Sequence, residues 1–225
     1  MTKEPLTAQR REMPRAILYD YYRSSACYRV RIALNLKRIE YEARAINLAE
    51  GAQKSAAYRD LNPQGLIPLL VMDGQTISQS LAICDFLDAA VEEPPFVRHD
   101  PADRAHVLAL ALTVACDIHP LNNLRILKYL GGELGVEEAA RNAWYRHWVA
   151  EGLAALETLA APRAGAWAFG DAPSLADICL VPQLYNARRF DVPLDAYPTL
   201  LRADATAAQH PAFAAAHPDR QEIPS

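Results

Sequence analysis

The first ninety residues switch repeatedly between strand-like and helical spacing of apolar positions, and the rest of the chain keeps helical spacing. Ile17-Leu18-Tyr19-Asp20-Tyr21 is a short, β-prone apolar run and predicts a strand. A polar turn follows, Tyr22-Arg23-Ser24-Ser25. Val30, Ala33 and Leu34 then recur at helical spacing, with Arg29, Arg31 and Lys37 among them, which predicts an amphipathic helix capped by Ser24 or Ser25. Ile39, Tyr41, Ala43 and Ala45 alternate with Glu40, Glu42 and Arg44, the period of a half-buried strand. The three elements form a β-α-β unit in about 30 residues, the length of a right-handed crossover.

Lys54 to Leu61 reads as a short helix leading to Asn62-Pro63-Gln64-Gly65. Leu66 to Met72 reads as a buried strand that contains Pro68. Asp73-Gly74 is a tight hairpin turn and Thr76-Ile77 starts the return strand. Gln79-Ser80 precedes a helix carrying Leu81, Ile83, Cys84, Phe86 and Leu87. The expected order is therefore β-α-β-α-β-β-α, with the first two strands parallel and the last two antiparallel.

Glu92-Glu93-Pro94-Pro95 interrupts this pattern. Beyond it the sequence is rich in Ala and Leu and lacks alternation. Helices are expected at 101–130, 137–161, 174–189 and 198–209. Gly131-Gly132 closes the first, Pro120 and Pro182 should kink or split theirs, and Ser174-Leu175-Ala176-Asp177 resembles a capping box. The expected organisation is a flexible extension at 1–15, an α/β unit at 16–92, a linker at 93–100, an all-helical unit at 101–215 and a tail at 216–225.

The 225 residues carry a net charge of −4 and no basic stripe, which argues against a general nucleic-acid binder. No window reaches about 18 uninterrupted apolar residues, so no membrane span is expected. Residues 1–15 lack the apolar stretch of a secretory signal, and their acids argue against a transit peptide. The four cysteines lie far apart, suggesting neither a zinc ribbon nor a disulfide staple; scattered thiols suit a reducing, cytoplasmic compartment. The histidines share no metal-ligand spacing, and no metal is expected.

Three features bear on chemistry. The turn at Ser24–Arg29 sits where a strand hands over to a helix, so free backbone N–H groups and the positive helix end favour an anion. A thiol held there would have its pKa lowered; a drop from about 8.5 to about 6.5 raises its ionised fraction at pH 7 roughly 25-fold. The alternative is that both serines only cap the helix. Pro68 lies in an apolar run where a proline loses a ladder donor. A cis bond would turn the main chain of Ile67 toward a peptide-like ligand; a trans proline opening a strand is the alternative. Gln79-Ser80 is a second helix start, suited to a carboxylate or to simple capping. Two anion sites and an exposed backbone edge together suit a short peptide bearing a thiol and a carboxylate.

The stretch Ser24-Ser25-Ala26-Cys27-Tyr28-Arg29-Val30-Arg31-Ile32-Ala33-Leu34 resembles the zeta class of cytosolic glutathione transferases. So do Asn62-Pro63-Gln64-Gly65-Leu66-Ile67-Pro68, Gln79-Ser80-Leu81-Ala82-Ile83, and Gly170-Asp171 with Ser174-Leu175-Ala176-Asp177. Asp117-Ile118-His119-Pro120-Leu121-Asn122-Asn123 and Asn186-Ala187-Arg188-Arg189-Phe190 point to its isomerases of maleylacetoacetate and maleylpyruvate. The resemblance covers about residues 16 to 215. It implies a thioredoxin-like α/β N-terminal domain followed by an all-α C-terminal domain, glutathione as cofactor, a small dicarboxylate as substrate and a homodimer.

It also implies roles. Ser24, with Ser25 beside it, resembles the hydroxyl that activates the glutathione thiol. Ile67 ahead of a cis Pro68 resembles the main-chain clamp on the cysteinyl unit, and Gln79 and Ser80 match the γ-glutamyl site. Gln53, His119, Asn123 and Arg125 match positions near glutathione. Arg23, Arg125 and Arg189 are the candidates for the substrate carboxylates, Arg189 foremost; Arg188 could exchange roles with it. His119 either touches glutathione, assists proton transfer or caps the turn at Pro120. Ala26 stands where many members have cysteine, and Cys27 follows one residue later. That step rotates a side chain by about 100° on a helix, so Cys27 is expected to pack inside. Two competing functions remain at this stage: a transferase or dehalogenase acting on small α-halo acids, and a non-catalytic scaffold.

Overall fold

A computed structural model describes residues 16–223; the extension expected at 1–15 lies outside the described residues. Strand β1 (Ala16–Asp20) occupies the interior of a four-stranded sheet with the order β2-β1-β3-β4. It pairs in parallel with β2 (Glu42–Ala45) and antiparallel with β3 (Leu69–Met72), which pairs antiparallel with β4 (Gln75–Ser78). The parallel pair needs a crossover, and α1 (Ser25–Leu36) supplies it. The hairpin turn has positive φ at Asp73 (49°) and Gly74 (78°), the geometry that suits the right-handed twist of two tightly joined strands.

Two strand readings need correcting. β2 is confined to Glu42–Ala45, and Ala43 and Ala45 are exposed, because β2 is the sheet edge. The burial that the alternation anticipated falls on Ile39 and Tyr41, which pack against the core ahead of the strand. β3 begins at Leu69, so Pro68 stands just outside it and no ladder donor is lost. The Ile67–Pro68 peptide is cis.

A single 3-10 turn at Ala52–Lys54 and helix α2 (Ala56–Leu61) lead into β3, and α3 (Ser80–Ala90) follows β4. The helix expected over 101–130 is divided. α4 (Pro101–Leu112), capped by the Asp100 carboxylate, passes into a π-helical turn at Thr113–Ile118, and α5 (Leu124–Gly132) starts beyond Pro120 with Asn123 as its cap. α6 (Glu138–Ala160), α7 (Leu175–Arg189), α8 (Pro198–Gln209) and α9 (Pro211–Ala216) complete the helical part. Pro182 does not split α7, which runs through it. The capping box is formed: Asp177 accepts from Ser174 N at 2.9 Å.

One apolar core runs through both parts. It joins Leu18, Leu70 and Met72 of the sheet to Val30 and Ile32 of α1, Ile178 and Leu184 of α7, and Leu200 and Phe213 beyond. α1 is therefore wrapped by α3, α7 and α9, and its cations are buried where an amphipathic surface helix would leave them in water. Arg31 grips Asp20 with one nitrogen at 2.7 and 2.9 Å, and donates to the carbonyls of Tyr22 and Ala216. Lys37 pairs with Asp88 at 2.7 Å and donates to the carbonyls of Val91 and Pro94. Arg31 thereby ties the end of β1 and the turn after it to α1. Among the described residues no helix is long and apolar enough to cross a membrane.

Candidate active site

The turn after β1 is short because Ser24 N donates to Tyr21 O at 2.8 Å. Ser24 then caps α1: its Oγ accepts from Cys27 N at 3.3 Å. Ser25 is buried, and its Oγ accepts from Asn186 Nδ2 of α7. Both hydroxyls accept from the protein, and a hydroxyl that accepts can also donate its own proton. Capping and anion binding are therefore compatible at this turn. Cys27 is fully buried, and burial, reinforced by Asp20, pushes its thiol well above the usual range. It is packing, as its helical phase anticipates.

A cavity of about 270 Å³ opens beside this turn, just below the range of small-ligand sites. Ala26 and Arg29 of α1 form one side, and the segment from Asn62 to Pro68 another. That segment is held from below, where Tyr58 Oη and Asn62 Nδ2 both donate to Leu66 O, at 2.8 and 2.7 Å. The Ile67 N–H and C=O have no partner among the described residues. Gln79, in an unusual backbone conformation (φ 70°, ψ 119°), donates to Gln64 Oε1 at 2.9 Å, and Ser80 opens α3. Gln79 is therefore not a side-chain cap.

The helical part closes the cavity with Ala115, Cys116, His119, Pro120, Asn123 and Arg125. Asn123 fixes the state of His119. Its Oδ1 caps α5 by accepting from Arg125 N at 3.1 Å, which turns its Nδ2 toward His119 Nε2 at 3.3 Å. Nε2 must accept there, so the ring proton sits on Nδ1, a buried position without a partner among the described residues. Burial, with Arg29 and Arg125 adding to it, lowers the His119 pKa to about 3. His119 is thus a neutral imidazole offering one N–H; it is not a cation able to release a proton near pH 7.

Ser24 and Ser25 are not among the residues that line this cavity, and neither are Gln53, Arg23 and Arg189. Gln53 stands behind the Asn62–Gly65 turn: a Cβ on Gly65 (φ +60°) would sit 3.0 Å from Gln53 O. Arg23 is exposed, its guanidinium 4.9 Å above the Tyr22 ring. Arg189 donates to Asn186 Oδ1 at 3.3 Å and lies 5.9 Å from the ring centres of Tyr185 and Phe190. Burial and Tyr22 raise the Tyr21 pKa while the charges of Arg23 and Arg189 oppose them, so both guanidiniums lie within electrostatic reach of Tyr21. Arg188 instead pairs with Asp204 at 2.6 Å. Asn186 therefore links two groups: one side chain holds Ser25 and positions Arg189.

Sequence reasoning passed over Arg29, Asn62, Gln64 and Cys116 as cavity residues. Arg29 was within reach, since it follows Ser25 by four positions and so shares its helix face. The cavity walls carry two guanidiniums and no carboxylate, with unmet buried donors on Arg29 and His119 and the free main chain of Ile67. This donor set fits a small acidic peptide such as glutathione.

The Glutathione S-transferase N-terminal domain model matches residues 18–95, and the Glutathione S-transferase C-terminal domain model matches 138–219. The chain belongs to the glutathione S-transferase family. Within it the likeness is to the zeta class. A probable maleylacetoacetate isomerase of Vibrio cholerae is 49% identical over 207 residues, covering 91% of this chain and 96% of that protein. The holo structure of a maleyl pyruvate isomerase, described as a bacterial zeta-class glutathione S-transferase, superposes with a TM-score of 0.90 at 43% identity, covering 93% of this chain and all of that one. A maleylacetoacetate isomerase from Anaeromyxobacter dehalogenans, with dicarboxyethyl glutathione and citrate in its active site, gives 0.83 at 43% identity over 93% and 98%.

Proposed function

We propose that the protein is a glutathione-dependent cis–trans isomerase of a maleyl-type diacid, maleylacetoacetate or maleylpyruvate. The observation that carries this is the position of the serine pair. It stands at the start of α1, next to Ala26, which lines a cavity suited to an acidic peptide, and Ser25 shares Asn186 with Arg189. The dicarboxyethyl glutathione bound in the Anaeromyxobacter relative supports it, because thiol addition across a butenedioate double bond leaves that group.

When bound, glutathione supplies a thiolate that adds to one alkene carbon, leaves a rotatable single bond, and departs with its electron pair once the trans geometry is reached. Ser24 Oγ stands at the positive end of α1 and donates its proton to stabilise a negative sulfur. Ser25, braced by Asn186, offers a second hydroxyl proton. Ile67 pairs its main chain with the peptide, and Gln79 and Ser80 hold the γ-glutamyl end. Gln53 backs the Asn62–Gly65 turn. His119 donates its Nδ1 proton as a hydrogen bond, while Asn123 sets its tautomer and burial, then Arg29 and Arg125, keep it neutral. Arg23 and Arg189 take the substrate carboxylates and the charge that develops on its oxygens. We further read 16–92 as the glutathione-binding domain, 101–215 as the substrate domain, and the working form as a cytoplasmic homodimer. The test is to incubate the purified protein with each diacid, with and without glutathione. Turnover that requires glutathione is expected; turnover of neither rejects the proposal.

A further inference from the structure

Ser25 opens α1 and Asn186 lies on α7, 161 residues later, yet the two side chains meet in the interior. Asn186 is 8% exposed and uses both ends of its amide: Nδ2 donates to Ser25 Oγ, and Oδ1 accepts from Arg189 Nη1 at 3.3 Å. The two contacts are not independent. A guanidinium has donors and no acceptor, so the amide atom that faces Arg189 has to be the oxygen. The nitrogen then faces Ser25, and an amide nitrogen only donates, so Ser25 Oγ has to accept. Arg189 thus fixes the orientation of an amide whose two ends are otherwise interchangeable, and that orientation fixes the polarity of a hydroxyl on another helix. No described residue accepts the Ser25 hydroxyl proton in return. Nor does Arg189 have a carboxylate partner among the described residues, unlike Arg188, which pairs with Asp204.

We infer that Asn186 is a positioning residue for the proposed reaction: oriented by Arg189, it keeps Ser25 an acceptor toward α7, which leaves the Ser25 hydroxyl proton for the glutathione sulfur and the other guanidinium donors for the substrate carboxylate. The inference rests on the glutathione-dependent isomerase reading above and adds to it the link between thiol and substrate. An amide suits this position because its two ends have opposite polarity. A carboxylate would be nearly isosteric, but both its oxygens accept. It would draw the Ser25 proton onto itself and neutralise Arg189, disarming both groups at once. No bond to Asn186 is made or broken in the reaction. The sulfur's proton leaves to solvent on ionisation, and the Ser25 proton stays on its oxygen as a hydrogen bond to the thiolate.

The experiment titrates the thiol of bound glutathione through the ultraviolet absorbance of its thiolate, at saturating ligand and without any diacid. Asn186→Asp is expected to lower the thiolate fraction at a given pH by about tenfold, the loss of one hydrogen bond to a charged group. The new negative charge opposes the thiolate by itself, so the same change is also made in a Ser25→Ala background. An effect carried by the hydroxyl largely disappears there; an effect that persists in full is one of charge alone and overturns the inference. Asn186→Ala in the same two backgrounds repeats the comparison without a new charge, and carries the test if the aspartate variant does not fold. It is expected to lower the thiolate fraction roughly threefold beside Ser25 and to change nothing further beside alanine; no change beside Ser25 overturns the inference. Steady-state kinetics adds a second readout. Asn186→Asp should raise the diacid KM as well as lower kcat, because Arg189 is neutralised, whereas Ser25→Ala should lower kcat and leave that KM nearly unchanged. A diacid KM unaltered in Asn186→Asp overturns the link to Arg189. The isomerase reading fails separately: a protein whose thiol responds as expected yet turns over neither diacid refutes that reading alone, and one that binds no glutathione refutes both.

Discussion

Ser24 does two things with one hydroxyl. Its oxygen lone pair caps α1 through Cys27 N, and in the proposed role its proton is donated to the anion that docks at the helix start. Ser24→Ala should therefore cost about 1 kcal/mol of stability as a lost cap and lower kcat/KM by roughly 10²- to 10³-fold as a lost donor to developing charge. Cys27→Ala should leave turnover within a few-fold, because the thiol is sealed in the core. Steady-state kinetics on both variants decides; a larger loss in Cys27→Ala would remove Ser24 from its role. His119 makes a pH argument at the same scale. Its pKa is about 3 in the folded chain, depressed by burial, then Arg29 and Arg125, against an ordinary value near 6.5. The unfolded chain takes up the proton first as pH falls. The contribution of His119 is thus fully present above about pH 6.5 and is lost as pH drops from there toward 3, by up to roughly tenfold in the folding equilibrium per pH unit. His119→Gln, which cannot titrate, should show a flatter acid limb in urea midpoints measured between pH 7 and 5. An unchanged limb would contradict the neutral, buried imidazole.

Helix α1 is the element on which the site hangs, and what holds it is an ion pair. Arg31 joins Asp20 at the end of β1 to the Tyr22 carbonyl and to Ala216 beyond α8, fixing the turn that presents Ser24. Arg31→Leu should destabilise the protein by about 3–5 kcal/mol, because Asp20 is left buried without a partner. Replacing both by leucine should recover much of that loss, since no charge then remains inside. Urea unfolding of the two variants measures it; a double variant as weak as the single one would show that the pair acts through something other than its charges. This element also shows where the sequence was legible. The start of α1, the hairpin at Asp73-Gly74, the parallel and antiparallel pairings and the capping box at Ser174 depend on local chemistry, and local chemistry can be read along the chain. The burial of Arg29, Arg31 and Lys37 was not legible, because it depends on α3, α7 and α9, whose contacts lie from 51 to 185 residues away along the chain. The break between α4 and α5 was half legible: Pro120 announces it, but the π-helical turn that aims Cys116 into the cavity has no sequence signal that we can name. For the site, the serine turn, the Ile67–Pro68 segment and Gln79-Ser80 stood out as motifs. The joining of Ser25 to Arg189 through Asn186 did not, because it is a contact across 161 residues of chain.

At the scale of the whole molecule, the cavity has walls from both parts: Ile67 and Ser80 come from the sheet part, His119 and Asn123 from the helical part. A site assembled in this way is only as firm as the contact between its halves. That contact is core: buried residues of β1, β3, α1 and α7 form one cluster, and α1 has helices of the later part packed along it. Separating the parts would expose apolar side chains of α1 and of the α7 and α9 helices packed on it, each costing about 1.5–3 kcal/mol in lost burial when fully uncovered. That sum is comparable to the whole stability of an ordinary domain, so neither part should persist alone once they come apart. We expect one cooperative transition. Trp144, Trp148 and Trp167 all lie beyond residue 101 and report on the helical part, while amide exchange in β1 and β3 reports on the sheet. The tryptophan fluorescence transition in urea and the loss of protection in β1 and β3 should share one midpoint. Glutathione, whose cavity spans both parts, should raise the two together. A sheet that stays protected after the tryptophans have become exposed would show that the halves are independent, and a ligand that shifts only one probe would place its binding energy in one half alone.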